Sequence, residues 1–348
     1  MTTNNQIQEQ IRIQRTNNQE ANRRQVTFQE IVGNARDWDT THNPFDRTTR
    51  LPLFQYVIEE GTGGALVPFK APDQPQEPTL YLAPHAHDQL LSRLDFAKKT
   101  YDRLPAKLNI VNLNWLIQNF YTKDALLRCQ DTNRVRALLS SDFEPFDNLE
   151  LLNILEPFCQ DAEVKCYFND DETIHISVIW PRTTEEVKVG DVVQRGIHIS
   201  NSEIGIRSVT IAAYVYRLKC KNGMVGYDGG GIRRFRHVGD SGKLRDQVKA
   251  AIEETHLEST KILAQFKASI DKAIDAPFEY LERIAKDKTN EMTQDEFKAA
   301  LDAFMDEPDN SLFGVTNAVT RAAQWYTGED KYHLERVATK VLAEGLRK

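Results

Sequence analysis

Four cysteines in 348 residues are too few and too scattered for a disulfide framework. Cys129, Cys159, Cys166 and Cys220 form no CxxC pair, and only Cys159 and Cys166 are near neighbours. They read as buried thiols in a reducing compartment. No stretch is apolar for about 18 residues, so no membrane span is expected. The opening residues, MTTNNQIQEQIRIQRTNNQEANRR, lack the apolar core of a secretory signal. The expected location is the cytoplasm, that of a host cell if the gene is viral. No repeat of fixed period is visible. There is no HExxH, no GxSxG elbow, no Walker lysine and no GxGxxG after a strand, so no catalytic residue, metal ligand or cofactor is assigned.

What is present is a chain 40% hydrophobic and 27% charged, as suits a globular protein with a substantial core. The net charge of -7 argues against bulk attraction to nucleic acid or anionic lipid. A local basic face can still bind a polyanion, because the field near a surface follows local charge.

The first 25 or so residues, rich in Asn, Gln and Arg, read as an arm that is disordered or ordered by a partner. A Trp-containing linker follows. TLYLA is a strand, and PHAHDQLLSRL starts a helix at Pro84 with Leu90, Leu91 and Leu94 at helical spacing. A second helix is expected over 113–124. A hairpin is expected at 125–130 and 135–139, turned at DTN, and another in EVKCYFNDDETIHISVIWP, turned at NDD. Between them DNLELLNILEPF is a helix with its cap at Asp147 or Asn148. More strands follow to about residue 225. Beyond 243 the alternation stops and helical stripes take over, with Pro277 as a break and Thr293 with Glu296 as a capping box. The predicted class is α+β: an antiparallel sheet with packed helices over 50–235, then a mainly helical region over 243–348.

Four features invite a chemical reading. His85 and His87 are two apart, and His175 and His198 face each other if their strands share a sheet, but ordinary packed or surface histidines explain both. Asp142, Glu144, Asp147, Asp191 and Glu203 would serve a metal-dependent nuclease only if they converged on hard cations. Cys220 lies between Lys219 and Lys221, which would lower its pKa if it were exposed. The glycines at 229–231 lack the partners of a phosphate loop and read as a hairpin tip.

The basic segment is the most informative. Arg217, Lys219 and Lys221 alternate as on one face of a strand. Arg233, Arg234 and Arg236 follow the glycines, with Tyr214, Tyr216, Tyr227 and Phe235 interleaved. Cations for phosphates beside rings for bases are what a single-stranded nucleic-acid groove requires. The plainer alternative is a strand edge whose charges discourage aggregation.

The same region carries a resemblance. Gly190 and Asp191, then Asn201, Ser202, Glu203 and Gly205, then Arg217, Cys220, Asn222 and Gly223 resemble the signature of an uncharacterised family of phage and plasmid proteins. The likeness covers about residues 80–225. It implies a setting among replication and recombination genes, with a distant likeness to single-strand annealing proteins. The expected function is sequence-independent binding of single-stranded DNA by a homo-oligomer. The rival classes are a structural or host-interaction protein and a metal-dependent nuclease.

Overall fold

Alternating apolar residues divide the strands between two sheets rather than one. The computed structural model describes residues 13–15, 17–18, 26–42, 45–59, 63–69, 78–170, 172–227 and 230–347. Most of the expected N-terminal arm lies outside these residues. Two of its described side chains dock on the helical region, Arg15 on Asp302 at 2.9 Å and Asn18 on the Trp325 carbonyl at 2.9 Å. The segment expected to be a Trp-containing linker is instead a helix, α1 (Phe28–His42), because Phe28, Ile31 and Val32 recur at helical spacing and are buried.

The first sheet contains β1 (Arg47–Arg50), β2 (Phe54–Glu59), β3 (Gly63–Pro68), β4 (Leu80–Leu82), β5 (Asp124–Cys129) and β6 (Arg134–Ser140), in the order β1-β5-β6-β4-β3-β2. Its pairs are antiparallel except β4 with β6. The connection that makes this one parallel pair carries α2 (Pro84–Arg93), α3 (Lys98–Tyr101) and α4 (Ala106–Phe120). Helix α4 starts and ends earlier than the 113–124 expected, since Tyr121 is already extended. Leu90, Leu91 and Leu94 of the α2 segment meet Leu113 and Ile117 of α4 in the core on this sheet. The β5–β6 hairpin turns where expected, with Asp131 Oδ1 accepting from the backbone N–H of Asn133 and Arg134.

After α5 (Asn148–Leu155) comes the second sheet: β7 (Glu163–Asn169), β8 (Ile174–Ile179), β9 (Glu185–Lys188), β10 (Asp191–Asn201), β11 (Val209–Arg217), β12 (Asn222–Val225) and β13 (Ile232–Phe235). Its order is β12-β11-β10-β8-β7, with β13 sharing the β11 edge and β9 sharing the β10 edge. Gly196 is required in β10. A Cβ there would lie 1.8 Å from the Val178 carbonyl oxygen of the neighbouring strand.

The register gives this sheet two unlike faces. Ile211, Ile199 and Ile176 lie opposite one another across three strands, and so do Ala213, Ile197 and Val178. That aliphatic face packs on α1, α5 and α6 (Ser241–Ala268). The opposite face is polar. One row runs Arg234, Thr210, Ser200, His175, Phe168, and the next runs Ile232, Ala212, His198, Ser177, Cys166. Helix α10 (Gly328–Arg347) covers it, with Tyr332 among the buried residues.

All named elements from Ser241 onward are helices. Pro277 is the first residue of α7 (Pro277–Lys286), and Thr293 and Glu296 form the expected capping box of α8 (Gln294–Asp306). With α9 (Leu312–Ala322) and α10 they build a core that also takes Val193, Ala213, Val215 and Met224 from the second sheet. The α+β class with a helical C-terminal region therefore holds. Among the described residues no helix is long and apolar enough to cross a membrane.

Candidate nucleic-acid interface

The structure separates the predicted binding residues into three groups. The first is internal. Arg217 ends β11 and is buried, with its guanidinium clamped on Asp191 at 2.8, 2.9 and 2.6 Å. Tyr214 is buried under α10, and its hydroxyl is held well above the usual phenol range by desolvation. Neither can present its side chain to a ligand in this fold.

The second group lines a cleft. β11 stops at Arg217, so Lys219 and Lys221 sit in a turn rather than on one strand face. Lys221 is left-handed there, with φ of 54°. The expected alternation fails because the chain must reverse to pair β12 with β11. Lys219 lies 3.2 Å from Glu307, which also contacts Arg217. Tyr216 is nearly buried, with the Lys165 ammonium 5.5 Å from its ring centroid. These residues, with Phe28 and Arg321, border a cavity of about 1010 Å³. Cys220 lies there too. Its thiol is raised, chiefly by burial, and hydrogen-bonds Glu307 at 3.3 Å, so the two lysines do not activate it.

The third group surrounds β13. Arg233, Arg234 and Arg236 are exposed. β13 pairs only with β11, so no described strand pairs with its other edge. On the aliphatic side, Arg233 borders a cavity of about 480 Å³ with Tyr227, Lys261 and Arg347. Gly230 bridges back to Tyr227, and Gly231 has φ of 77°, so the described glycines do form a hairpin tip. Gly229 lies outside the described residues. On the polar side, Arg234 shares a field with Arg207 and Arg336, and desolvation lowers its pKa. The carboxylates among these cations are Glu254 and Glu258 on α6 and Glu329 on α10. Phe235 is half-buried against the α6 core.

The carboxylates weighed for a nuclease do not converge as a set, although Asp147 and Glu203 lie near each other beside Arg128 and Arg136. Asp191 and Asn201 begin and end β10, about 30 Å apart at strand rise, and Glu203 lies just past the far end. Asp147 occupies the first cap position of α5 but spends its carboxylate on the fully buried Arg128, at 2.7 Å. Asp142 is exposed beside Ser140. Among the described residues no group of three or more His, Cys, Asp or Glu is placed to hold a metal. His175 and His198 do approach, with ring centroids 5.7 Å apart, inside the polar face. His87 bonds the Tyr56 hydroxyl at 2.8 Å, and His85 reaches the Ile204 carbonyl at 3.2 Å.

The Asn201-Ser202-Glu203 stretch is a junction between the two sheets. Glu203 accepts from the Asn148 backbone N–H at 3.0 Å, thereby capping α5, and also from Arg136 of β6 and Trp38 of α1, each at 3.3 Å. Asn201 donates to the Phe146 carbonyl at 2.9 Å, and Ser202 donates to that of Glu172 at 2.7 Å. Gly205 takes a left-handed backbone, with φ of 79°.

Residues 137–335, more than half of the chain, match the family described as Domain of unknown function (DUF932). The chain belongs to this family. The DUF932 match starts inside β6, later than the likeness at 80–225, and runs on into α10. It takes in the whole second sheet, Glu203 and the cations of β13, while the junction partners Arg136 and Trp38 lie before its start. No curated protein and no solved structure matches the chain.

Proposed function

We propose that this DUF932 protein binds single-stranded DNA without regard to base sequence, along the edge of β13 away from β11. One observation carries the reading. A four-residue edge strand puts Arg233 on one face and Arg234 on the other, with Arg236 just beyond. Each face is reinforced from outside the strand, by Lys261 and Arg347 on one side and by Arg207 and Arg336 on the other. A strand laid along this edge meets cations on both flanks, which suits a flexible polyanion better than a stiff duplex. Tyr227 and Phe235 offer rings at its two ends. Arg217, Tyr214 and Tyr216 drop out of the face, and Lys219 and Lys221 belong to the separate cleft. That edge also gives a second copy of the chain a place to extend the groove. A role in phage or plasmid replication or recombination, annealing included, follows from the sequence resemblance.

The test is fluorescence anisotropy of a labelled oligothymidylate across a salt series. The triple variant Arg233→Ala, Arg234→Ala, Arg236→Ala is expected to bind more weakly. Its plot of log affinity against log salt should flatten by about 2, since each lost contact to a single strand removes about 0.7. An unchanged slope rejects this face. Absence of binding by the parent protein leaves the structural or host-interaction reading.

A further inference from the structure

Around His175 of β8, the polar face of the second sheet carries an arrangement that strand binding does not explain. Glu329 stands in the first turn of α10 with its side chain half-exposed. Its Oε2 accepts from an Arg207 guanidinium nitrogen. The same oxygen lies 3.5 Å from His175 Nε2. His175 is 1% exposed, and neither ring nitrogen has a hydrogen-bond partner. Arg336 lies over Tyr332, with its guanidinium carbon 5.2 Å from the ring centroid, and the Tyr332 ring is 5.6 Å from that of His175. Arg234 is in the same cross-strand row as His175. One half-exposed carboxylate thus occupies the point toward which a guanidinium and a buried imidazole both reach, within the wider positive field of Arg234 and Arg336.

We propose that this point is a binding site for a phosphate monoester, and that Glu329 is the chain's own occupant, displaced when the phosphate enters. The chemistry favours that ligand over other anions. A monoester brings two charges where Glu329 brings one, and Arg207 meets them directly while Arg234 and Arg336 add to the positive field. Desolvation, with the charge of Arg207, lowers His175 to about 3, so the ring is neutral and has one N–H to donate to an oxyanion. His175 is buried against Tyr332 of α10 while the Glu329 side chain is half-exposed, so an anion that replaces Glu329 reaches the imidazole from that side. A terminal phosphate fits such a site, and a diester that must continue in both directions does not. The source is either the end of a DNA strand or a free nucleotide.

Calorimetric titration of the full chain with three probes tests this: a 5′-phosphorylated oligothymidylate, the same oligonucleotide with a 5′-hydroxyl, and thymidine 5′-monophosphate. Glu329→Gln removes the competing charge at a half-exposed position. It is expected to tighten the phosphorylated probes by about tenfold, and the hydroxyl probe by clearly less, since the freed Arg207 also flanks the strand along β13. Arg207→Lys and Arg336→Gln should each weaken the phosphorylated probes by about tenfold, with circular dichroism confirming the fold. Binding of the phosphorylated strand but not the nucleotide assigns the site to strand ends. Binding of the nucleotide alone assigns it to free nucleotides, and stands even if no strand binds along β13. Equal binding of the phosphorylated and hydroxyl strands by parent and Glu329→Gln, without nucleotide binding, overturns the site but leaves the strand reading intact. No phosphorylated probe binding to Glu329→Gln overturns it outright.

Discussion

Acid should destabilise this protein through two buried histidines before most of its carboxylates titrate. His175 is 1% exposed on the polar face of the second sheet, and burial lowers it to about 3. His237 is 5% exposed, stacked on Phe143 at 4.8 Å, and burial lowers it to about 4. In the unfolded chain each returns to an ordinary value of about 6.5. The unfolded state therefore takes up protons first as pH falls. Each neutral ring contributes stability that is complete above pH 6.5 and is lost below it, down to about pH 4 for His237 and about pH 3 for His175. Between pH 7 and pH 5 the loss is about 2 kcal/mol for each, hence about 4 kcal/mol together, a large share of a typical domain's stability. His198, also lowered by burial, acts in the same direction. Asp46 and Asp147, raised by burial, act in the opposite one. Comparison with the double variant His175→Gln, His237→Gln cancels those other groups. Urea denaturation followed by tryptophan fluorescence at pH 7 and pH 5 is the assay. The parent should lose about 4 kcal/mol more than the double variant over that interval. Equal losses in the two proteins would refute the argument.

Other outcomes follow from the same packing. Glu203→Ala should cost about 3–5 kcal/mol in urea denaturation, because it strands the buried Arg136 and uncaps α5, whereas Asp142→Ala should stay within about 0.5 kcal/mol. Arg217→Met should likewise lower stability by about 3–5 kcal/mol through the orphaned Asp191, while leaving the salt dependence of DNA affinity unchanged. Gly196→Ala should prevent folding, read as loss of near-ultraviolet circular dichroism, since its methyl would overlap the Val178 carbonyl. Of the four thiols, only Cys220 should react with an aromatic disulfide in the native protein. Reaction of Cys129, Cys159 or Cys166 at a comparable rate would contradict their burial.

Local rules made much of this protein legible from its sequence. The β5–β6 hairpin follows from alternation around an Asp131 turn, the α8 start from Thr293 and Glu296, and the helical character beyond Ser241 from the change of period. Each depends on residues a few positions apart, where sequence neighbours are spatial neighbours. Tertiary structure decided which charges are available. Arg217 and Arg234 look alike in the sequence, yet one is buried against Asp191, 26 residues away, and the other stands exposed at a sheet edge. The division into two sheets, the sealing of their junction by Glu203 and the approach of Glu329 to His175 likewise bring together residues distant in the chain. Burial and charge pairing are properties of the assembled packing, because the cost of leaving water is set by what surrounds a group after folding.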